Sequence, residues 1–423
     1  MTNPPSSHNP AGSNISVAAK RRIHFIANCV YGTHLAGGDI HFFELARAAA
    51  EAGYDVNFFG GFALQQHIGA QSLKATITLT EQNQRTGIDP ATLRGQHALF
   101  HDYFNRYRGT LRRLNQIAPD DLVYATTDYW FDVLPMVDSP ARNKVMIWHM
   151  QAPSFSQILA RSRADVDATR LASLHYWASQ NRSLSRFARC PGKRLLYVHP
   201  NMREALLRRG YNEQEIRYVS FGVDPDPPGA REAQQKIYDA VWIGRVHRQK
   251  GIDDLLQTLT YLKQKIPNFR AVMIGKVKSE LQPRIEKLGL SGVVDFPGFV
   301  SEEEKFRLFR SSRVYLMPSR FEGSPRVIGE ALVCRLPVVA YEVETYRPVF
   351  GDLLRYVPCY DARAFQREAE DQIRRMRAGE NYLNSLDLRQ FIENCSWQRA
   401  RETFLSALGE LSASTKGSQM IRR

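Results

Sequence analysis

Residues 313–340 carry the pattern that most limits the fold: a strand, a polar loop, a helix and a second strand. Residues 314–317 form an apolar run typical of a buried strand, and residues 318–323 are rich in turn formers. Ser324 followed by Pro325 predicts a helix start, because Ser is a favoured N-cap and Pro a favoured first helical residue. A strand–loop–helix–strand order is typical of a parallel α/β sheet.

Two carboxylates flank this predicted helix start, Glu322 in the loop and Glu330 in the helix, with seven residues between them. A helix N-terminus offers free N–H groups and partial positive charge, so it attracts phosphate. An ionised Glu only accepts hydrogen bonds, which suits sugar or ribose hydroxyls. The pattern favours a pocket for a phosphorylated sugar. The alternative from these two residues alone is an acid near the helix dipole and a surface Glu.

The stretch resembles the Glu-x7-Glu signature of retaining glycosyltransferases with the GT-B fold, in particular family 4 (glycosyl transferases group 1). The resemblance implies that Glu322 lies by the donor sugar and that Glu330 holds the ribose of a nucleotide-sugar. It assigns the donor site further residues at the helix start, namely Gly323, Ser324 and Pro325. The chain departs from the family at Ser324-Pro325, where Phe-Gly is frequent, and at Arg335, where Gly is usual. It also lacks the common Gly-Gly after the next strand, in residues 341–345.

A second loop of interest, residues 244–251, is basic and bounded by glycines. It follows the predicted strand 237–243 and precedes a predicted helix. Arg245 and Lys250 would suit a diphosphate, since Arg binds phosphate bidentately and Lys acts as a point charge. The alternative is a solvated basic loop. The loop resembles the family's Gly-Arg…Lys-Gly signature, so Gly244, Arg245 and Lys250 are expected at the donor diphosphate.

The first half of the chain opens with strand 22–28, a loop, helix 39–52 and strand 55–59. Gly37 and Gly38 precede this helix, where backbone could approach a diphosphate, although a glycine pair also serves simple turns. His149 ends the predicted strand 144–149, where α/β sheets keep their sites, although such a residue is often only packed. In the resembling family, the Gly pair borders the donor site and a His at this position faces the donor sugar.

Four segments describe the expected organisation, which is GT-B: two Rossmann-like, doubly wound parallel-sheet domains facing a central cleft, with a C-terminal helix crossing back. Residues 1–20 are an expected disordered tail, and residues 21–223 an acceptor-side domain. Residues 224–400 are a nucleotide-sugar-binding domain, and residues 401–423 a crossover helix with a basic tail. The linker 224–229 marks the boundary by its Pro and Gly content. By resemblance, Val300 lines the nucleobase site, just before a predicted capping box of Ser301 and Glu304.

Composition limits the compartment and the partners. The net charge is +14, and basic residues cluster in two stretches, residues 106–113 and 182–209. Such clusters attract anionic lipid or anionic substrates, or else are ordinary solvated arginines. No run of 18 apolar residues occurs, and the five scattered cysteines are typical of a reducing cytoplasm. We expect a cytoplasmic protein in reversible contact, at most, with the inner face of a membrane. We find no nucleic-acid-binding motif.

The resemblance implies metal-independent transfer of a sugar, with retained configuration, from a nucleotide-sugar co-substrate to a hydroxyl of a glycan or lipid-linked acceptor. It gives Glu322, Arg245, Lys250 and His149 catalytic roles and needs no other cofactor. Two alternatives stay open: a nucleotide-sugar epimerase of the same fold, and a non-catalytic nucleotide-sugar-binding subunit. Transfer onto nucleic acid is suggested by charge alone.

Overall fold

The computed structural model describes residues 21–32, 35–83, 87–88, 92–160, 168–228, 235–246, 248–275 and 281–420. The expected disordered tail, residues 1–20, lies outside the described residues, as do Gly229 of the linker and residues 421–423.

Seven parallel strands among the described residues form the first sheet, in the order β3-β2-β1-β4-β5-β6-β7. The apolar runs of its central strands are buried on both faces, as a sheet covered by helices requires, whereas the edge strand Thr76–Leu79 is only partly buried. The strands are β1 Arg22–Ala27, β2 Asp55–Gly60, β3 Thr76–Leu79, β4 Leu122–Ala125, β5 Asn143–Trp148, β6 Lys193–Tyr197 and β7 Ile216–Tyr218. The helices are α1 Gly37–Glu51, α2 Phe62–Ala70, α3 Leu93–Leu111, α4 Trp130–Asp138, α5 Phe155–Ala160, α6 Ala168–Ala188 and α7 Met202–Arg208.

Six parallel strands form the second sheet in the described part of the chain, in the order β10-β9-β8-β11-β12-β13. The strands are β8 Tyr238–Ile243, β9 Ala271–Ile274, β10 Val294–Gly298, β11 Ser312–Met317, β12 Val338–Tyr341 and β13 Arg355–Val357. The helices are α8 Ile252–Lys265, α9 Gln282–Lys287, α10 Glu302–Arg310, α11 Arg326–Val333, α12 Arg347–Phe350, α13 Ala362–Arg377, α14 Arg389–Asn394 and α15 Trp397–Met420.

Both sheets change winding direction at their centre, between β1 and β4 in the first sheet and between β8 and β11 in the second. Loops leaving adjacent central strands diverge there and open a crevice at the carboxyl ends, which is where α/β sheets bind ligands. The two doubly wound parallel sheets confirm the predicted fold class.

The long C-terminal helix α15 returns to the first sheet. Phe404, Ala407 and Leu408 are fully buried within the first sheet's hydrophobic core. An ion pair of 2.5 Å between Arg401 Nη2 and Glu44 Oε2 ties α15 to α1. The chain crosses where Val223 N–H donates to the Cys395 carbonyl at 2.8 Å.

Two predicted helix starts were wrong by one or two residues. Pro325, not Ser324, is the N-cap of α11, because Pro325 has an extended ψ of 98° and the helix begins at Arg326. Helix α1 begins at Gly37 rather than Asp39. Asp39 lies in the first turn, where its carboxylate accepts from the Ala36 N–H at 2.7 Å. Ser301 is the N-cap of α10, as predicted, and its hydroxyl accepts from the Glu304 N–H at 3.1 Å. The other half of the predicted capping box is not formed, because the Glu304 carboxylate pairs with Arg307.

Candidate functional site

The crevice of the second sheet is formed by two loops that bind each other. They are the loop after β8 and the loop after β11. The Arg320 N–H donates to the Gln249 carbonyl (2.9 Å), and Gln249 Nε2 donates to the Phe321 carbonyl (2.7 Å). Gly251 lets the loops meet: its φ is +64°, and a Cβ there would lie 1.9 Å from the Pro318 carbonyl oxygen. A non-glycine residue would therefore separate the two predicted signature loops.

Lys250 and Glu322 meet at this junction, with Lys250 Nζ 2.5 Å from Glu322 Oε1. Their side chains are 19% and 10% exposed. The lysine thus reaches the loop acid directly, although 72 positions separate them in the chain. The sequence assigned the donor diphosphate to Lys250 and the donor sugar to Glu322, and the structure places these two side chains in contact.

Glu330 lies on the buried face in the middle of α11 and pairs with two cations. Lys305 Nζ is 2.9 Å from Glu330 Oε2, and Arg326 Nε is 3.0 Å from Glu330 Oε1. Lys305 also contacts Glu302 at 2.7 Å. Sequence reasoning missed Lys305 and Arg326 as partners, although the four-residue spacing of Arg326 and Glu330 was a readable signal for a helical ion pair.

Glu322 and Glu330 both lie near Tyr315 of β11. Burial raises the pKa of the Tyr315 phenol well above the ordinary value, and the charges of Glu322 and Glu330 raise it further. Both acids therefore lie close to the central strand of the second sheet.

The first domain faces this crevice with α1 and with His149. Gly38 lies in the first turn of α1, and a Cβ there would be 3.6 Å from the His149 ring. His149 is partly buried, and desolvation, with His41 nearby, lowers its pKa to about 3. Its Nε2 has no hydrogen-bond partner within the described part of the chain. A neutral imidazole with a free nitrogen thus lies beside the glycine pair Gly37-Gly38.

The two domains approach each other at two points of the crevice. A Cβ on Gly323 would lie 2.8 Å from the His149 carbonyl oxygen, so glycine permits the approach of the first domain. Arg245, exposed in the loop after β8, acts electrostatically on Asp39 of α1. Burial raises the pKa of Asp39 to about 6, and the Arg245 charge opposes that rise.

The structure therefore brings Arg245, Lys250, Glu322, Gly323 and Glu330 to one inter-domain crevice. Of the remaining predicted donor-site residues, Gly37 and Gly38 begin α1, and the others lie on loops at strand ends or helix starts: His149, Gly244, Val300, Ser324 and Pro325. Ser324 Oγ is buried and has no hydrogen-bond partner among the described residues. A cavity of about 280 Å³ lies against Glu330 and Arg326 and is also lined by Glu44, Trp397 and Arg401.

Part of the predicted basic surface is internal. Arg106 is buried, lies 2.6 Å from Glu81, and donates to the carbonyl of Val30. Lys193 lies 2.5 Å from Glu215. These two cations form ion pairs inside the first domain. The predicted basic surface therefore consists only of the exposed Lys and Arg residues of the two stretches.

Within the described ranges, no group of three or more His, Cys, Asp or Glu side chains could hold a metal ion. Across those same ranges, no helix is both long enough and apolar enough to span a bilayer.

Two facing doubly wound sheets, a crevice between their carboxyl ends and a helix that crosses back define the GT-B fold. HepE from Anabaena, solved with UDP and glucose, has this fold: its TM-score is 0.64, its identity 16%, and the match covers 92% of this chain and all of HepE.

Residues 229–381 match the family model described as "Glycosyl transferases group 1". An uncharacterized glycosyltransferase of Methanocaldococcus jannaschii is 31% identical over 24% of this chain and 25% of its own length. The alpha-galactosylglucosyldiacylglycerol synthase of Streptococcus pneumoniae is 24% identical over 50% of this chain and 58% of its own length. The chain thus spans between a quarter and three-fifths of these two relatives.

Proposed function

We propose that the protein is a glycosyltransferase that moves a sugar from a nucleotide-sugar to a hydroxyl acceptor. The direct contact between Lys250 and Glu322, at the winding switch of the second sheet, is the observation that carries the proposal. A cation and an acid at this point can bind adjoining diphosphate and sugar groups. The family match of residues 229–381 supports the same activity.

In this proposal, Lys250 and Arg245 neutralise the charge that grows on the leaving diphosphate, assisted by the N-terminus of α11. The Lys250 ammonium has three N–H donors, so it can keep Glu322 and still bind a phosphate oxygen. Glu330 accepts hydrogen bonds from ribose hydroxyls. Glu322, the Gly323 backbone and the neutral His149 position the sugar.

We further propose that the transfer retains the anomeric configuration. The bond between the anomeric carbon and the diphosphate oxygen breaks, and the acceptor oxygen bonds to the same face of the sugar. The acceptor proton passes to the leaving phosphate oxygen. Arg245 and Lys250 supply the positive charge, so the proposed reaction requires no divalent metal. Proton NMR of the fresh product reports its anomeric configuration, and an inverted product would overturn this part.

The supported donor class is a nucleoside diphosphate sugar, since HepE was solved with UDP and glucose. Glycan or lipid-linked acceptors are supported by the streptococcal relative, which is an alpha-galactosylglucosyldiacylglycerol synthase. The donor base and sugar are what a screen has to establish.

The test is a screen of UDP-, GDP- and ADP-sugars, with glycan and glycolipid acceptors, read out as nucleotide release and as product mass. Wild type should transfer from one donor. Lys250→Gln should lower kcat/KM about 100-fold or more, the loss typical of one donor group removed from developing charge. Lys287→Gln, a change of an exposed lysine on α9, is the matched control and should keep full activity. Full activity of Lys250→Gln would overturn the site.

The alternatives give different products in the same screen. An epimerase would convert the nucleotide-sugar without any acceptor. A non-catalytic subunit would bind nucleotide, by calorimetry, without turnover on the whole panel.

We also propose reversible contact with an anionic membrane surface. Leu93, Phe100 and Leu171 on α3 and α6 are exposed by 57%, 39% and 59%, and exposed arginines such as Arg94 and Arg108 lie on α3. Apolar side chains beside cations suit an anionic bilayer. Cosedimentation with vesicles that contain phosphatidylglycerol, but not with pure phosphatidylcholine vesicles, is the expected result. Equal binding to both would contradict the charge argument.

A further inference from the structure

A histidine of the first domain holds the loop that follows β12 in the second domain. His199 comes just after β6, and its Nε2 lies 2.6 Å from the carbonyl oxygen of Thr345. Its other ring nitrogen, Nδ1, lies 3.2 Å from the backbone N of Asn201. A backbone N–H can only donate, so Nδ1 accepts and Nε2 carries the hydrogen. His199 therefore donates to Thr345 across the inter-domain crevice.

The ring is suited to this fixed role. Burial lowers the pKa of His199 below its ordinary value, while the Thr345 carbonyl and Glu344 oppose that effect. The neutral tautomer with its hydrogen on Nε2 is thus the form that both observed hydrogen bonds require at neutral pH.

Thr345 links His199 to the loop that carries Glu322. Its Oγ1 donates to the carbonyl of Glu322 at 3.0 Å. The carboxylate of Glu322 forms an ion pair with Lys250, which lies on the loop after β8. Glu322 is thus held by its side chain from one direction and, through Thr345, by its backbone from the other.

We propose that His199 and Thr345 form an inter-domain clamp that positions Glu322 for catalysis. The role in catalysis rests on the proposed glycosyltransferase function, whereas the clamp itself is a property of the two loops. His199 and Thr345 act here as positioning residues, because Thr345 bonds the backbone of Glu322, His199 bonds Thr345, and neither is assigned to the reacting atoms. The clamp forms only when the carboxyl ends of the two sheets are together, so domain approach and placement of Glu322 become one event.

Four variants separate the two links of the clamp. His199→Ala removes the ring donor, and His199→Gln restores a side-chain N–H at similar reach. Thr345→Val removes the hydroxyl at nearly constant volume, and Thr345→Ser restores it. His101→Ala, a change of an exposed histidine on α3, is the matched control.

The first readout is hydrogen–deuterium exchange of the peptide that contains residues 318–324, which needs no substrate. His199→Ala and Thr345→Val should raise its exchange rate about three- to tenfold, the loss expected for one neutral hydrogen bond. The Gln and Ser variants should lie near wild type, as should His101→Ala. Unchanged exchange in both disruptive variants would overturn the clamp, whatever the activity.

The second readout is kinetic, with the donor that wild type turns over fastest. His199→Ala and Thr345→Val should lower kcat by a similar three- to tenfold and leave the donor KM, and the dissociation constant of that donor's nucleoside diphosphate, within about twofold. A raised exchange rate with unchanged kcat would overturn the positioning role. If wild type transfers no sugar, the proposed function fails, and the exchange data still decide whether the clamp exists.

Discussion

Replacing Glu330 with glutamine removes the charge that Lys305 and Arg326 share inside the second domain. Lys305 is 5% exposed, and its remaining acidic partner, Glu302, is 65% exposed. A pair with such a solvated partner contributes about 0–1 kcal/mol, whereas breaking a buried pair costs about 3–5 kcal/mol. Arg326 is 18% exposed and also lies over the Trp397 ring, so it retains other contacts. We therefore expect Glu330→Gln to lower the free energy of unfolding by about 3 kcal/mol.

A second substitution shows whether the uncompensated lysine is the cause. Lys305→Met removes the ammonium and keeps the length of the side chain. The double variant Glu330→Gln/Lys305→Met should recover at least about 2 kcal/mol, because a buried ion pair replaced by neutral groups is often tolerated. Glu303→Gln, at an exposed position of α10, should be neutral.

Urea denaturation followed by tryptophan fluorescence measures the free energy of unfolding and the m-value of four proteins: wild type, Glu330→Gln, the double variant and Glu303→Gln. The same samples are then tested for nucleotide binding. The double variant should be folded and stable but should bind nucleotide poorly, because the carboxylate for the ribose is absent. A double variant as unstable as Glu330→Gln alone would refute the electrostatic explanation of the buried pair.

Three further predictions concern metal, pH and the chain crossing. EDTA should leave the initial rate within about twofold, because Arg245 and Lys250 supply the positive charge; a rate restored only by Mg²⁺ would contradict this. His149, whose pKa is lowered to about 3, stays neutral in the folded state while an unfolded histidine protonates below about 6.5. Acidification from pH 7.5 to 5 should thus remove about 2 kcal/mol of stability through His149. Urea titrations of His149→Gln should show a smaller loss, and an equal loss would refute it. Gly222→Ala would place a Cβ 2.1 Å from the Trp397 ring and should lower Tm far more than Gly210→Ala, which has a similar positive φ and open space; equal shifts would refute the packing argument.

The two loops of the site could be predicted because each is determined by a short stretch of sequence. Gly251 and the turn formers at 318–323 punctuate strands whose apolar runs are unambiguous, so both loops were placed at strand ends. The contact between Lys250 and Glu322 follows once β8 and β11 are adjacent in the sheet.

The partners of Glu330 could not be predicted in the same way. Lys305 stands in the run Glu302-Glu303-Glu304-Lys305, which resembles a solvated helix face, yet it is buried against α11. Its burial depends on how α10 packs on α11, and no local pattern reports that. The wrong N-cap prediction has another cause. Ser324 was assigned by residue preference alone, whereas in the structure Pro325 is the extended residue before the helix.

Residues 60–121 were the least readable part of the first domain. Strand β3 is a short edge strand with two threonines and only partly buried side chains, so its apolar pattern is weak. Arg106 was assigned to a basic surface cluster with its neighbouring arginines, but it is buried, and Glu81 and two backbone carbonyls compensate its charge in the interior. The clamp of His199 and Thr345 joins residues 146 positions apart and needed the tertiary structure.

Calorimetric titration with UDP, GDP and ADP tests most directly whether the crevice binds a diphosphate. Wild type should bind at least one of them. Lys250→Gln and Arg245→Gln should each bind that nucleotide about tenfold or more weakly, as expected for a charge-assisted phosphate contact worth about 1.5–3 kcal/mol. Lys287→Gln should bind it like wild type. Equal affinity in all four proteins would show that the two loops do not hold the diphosphate.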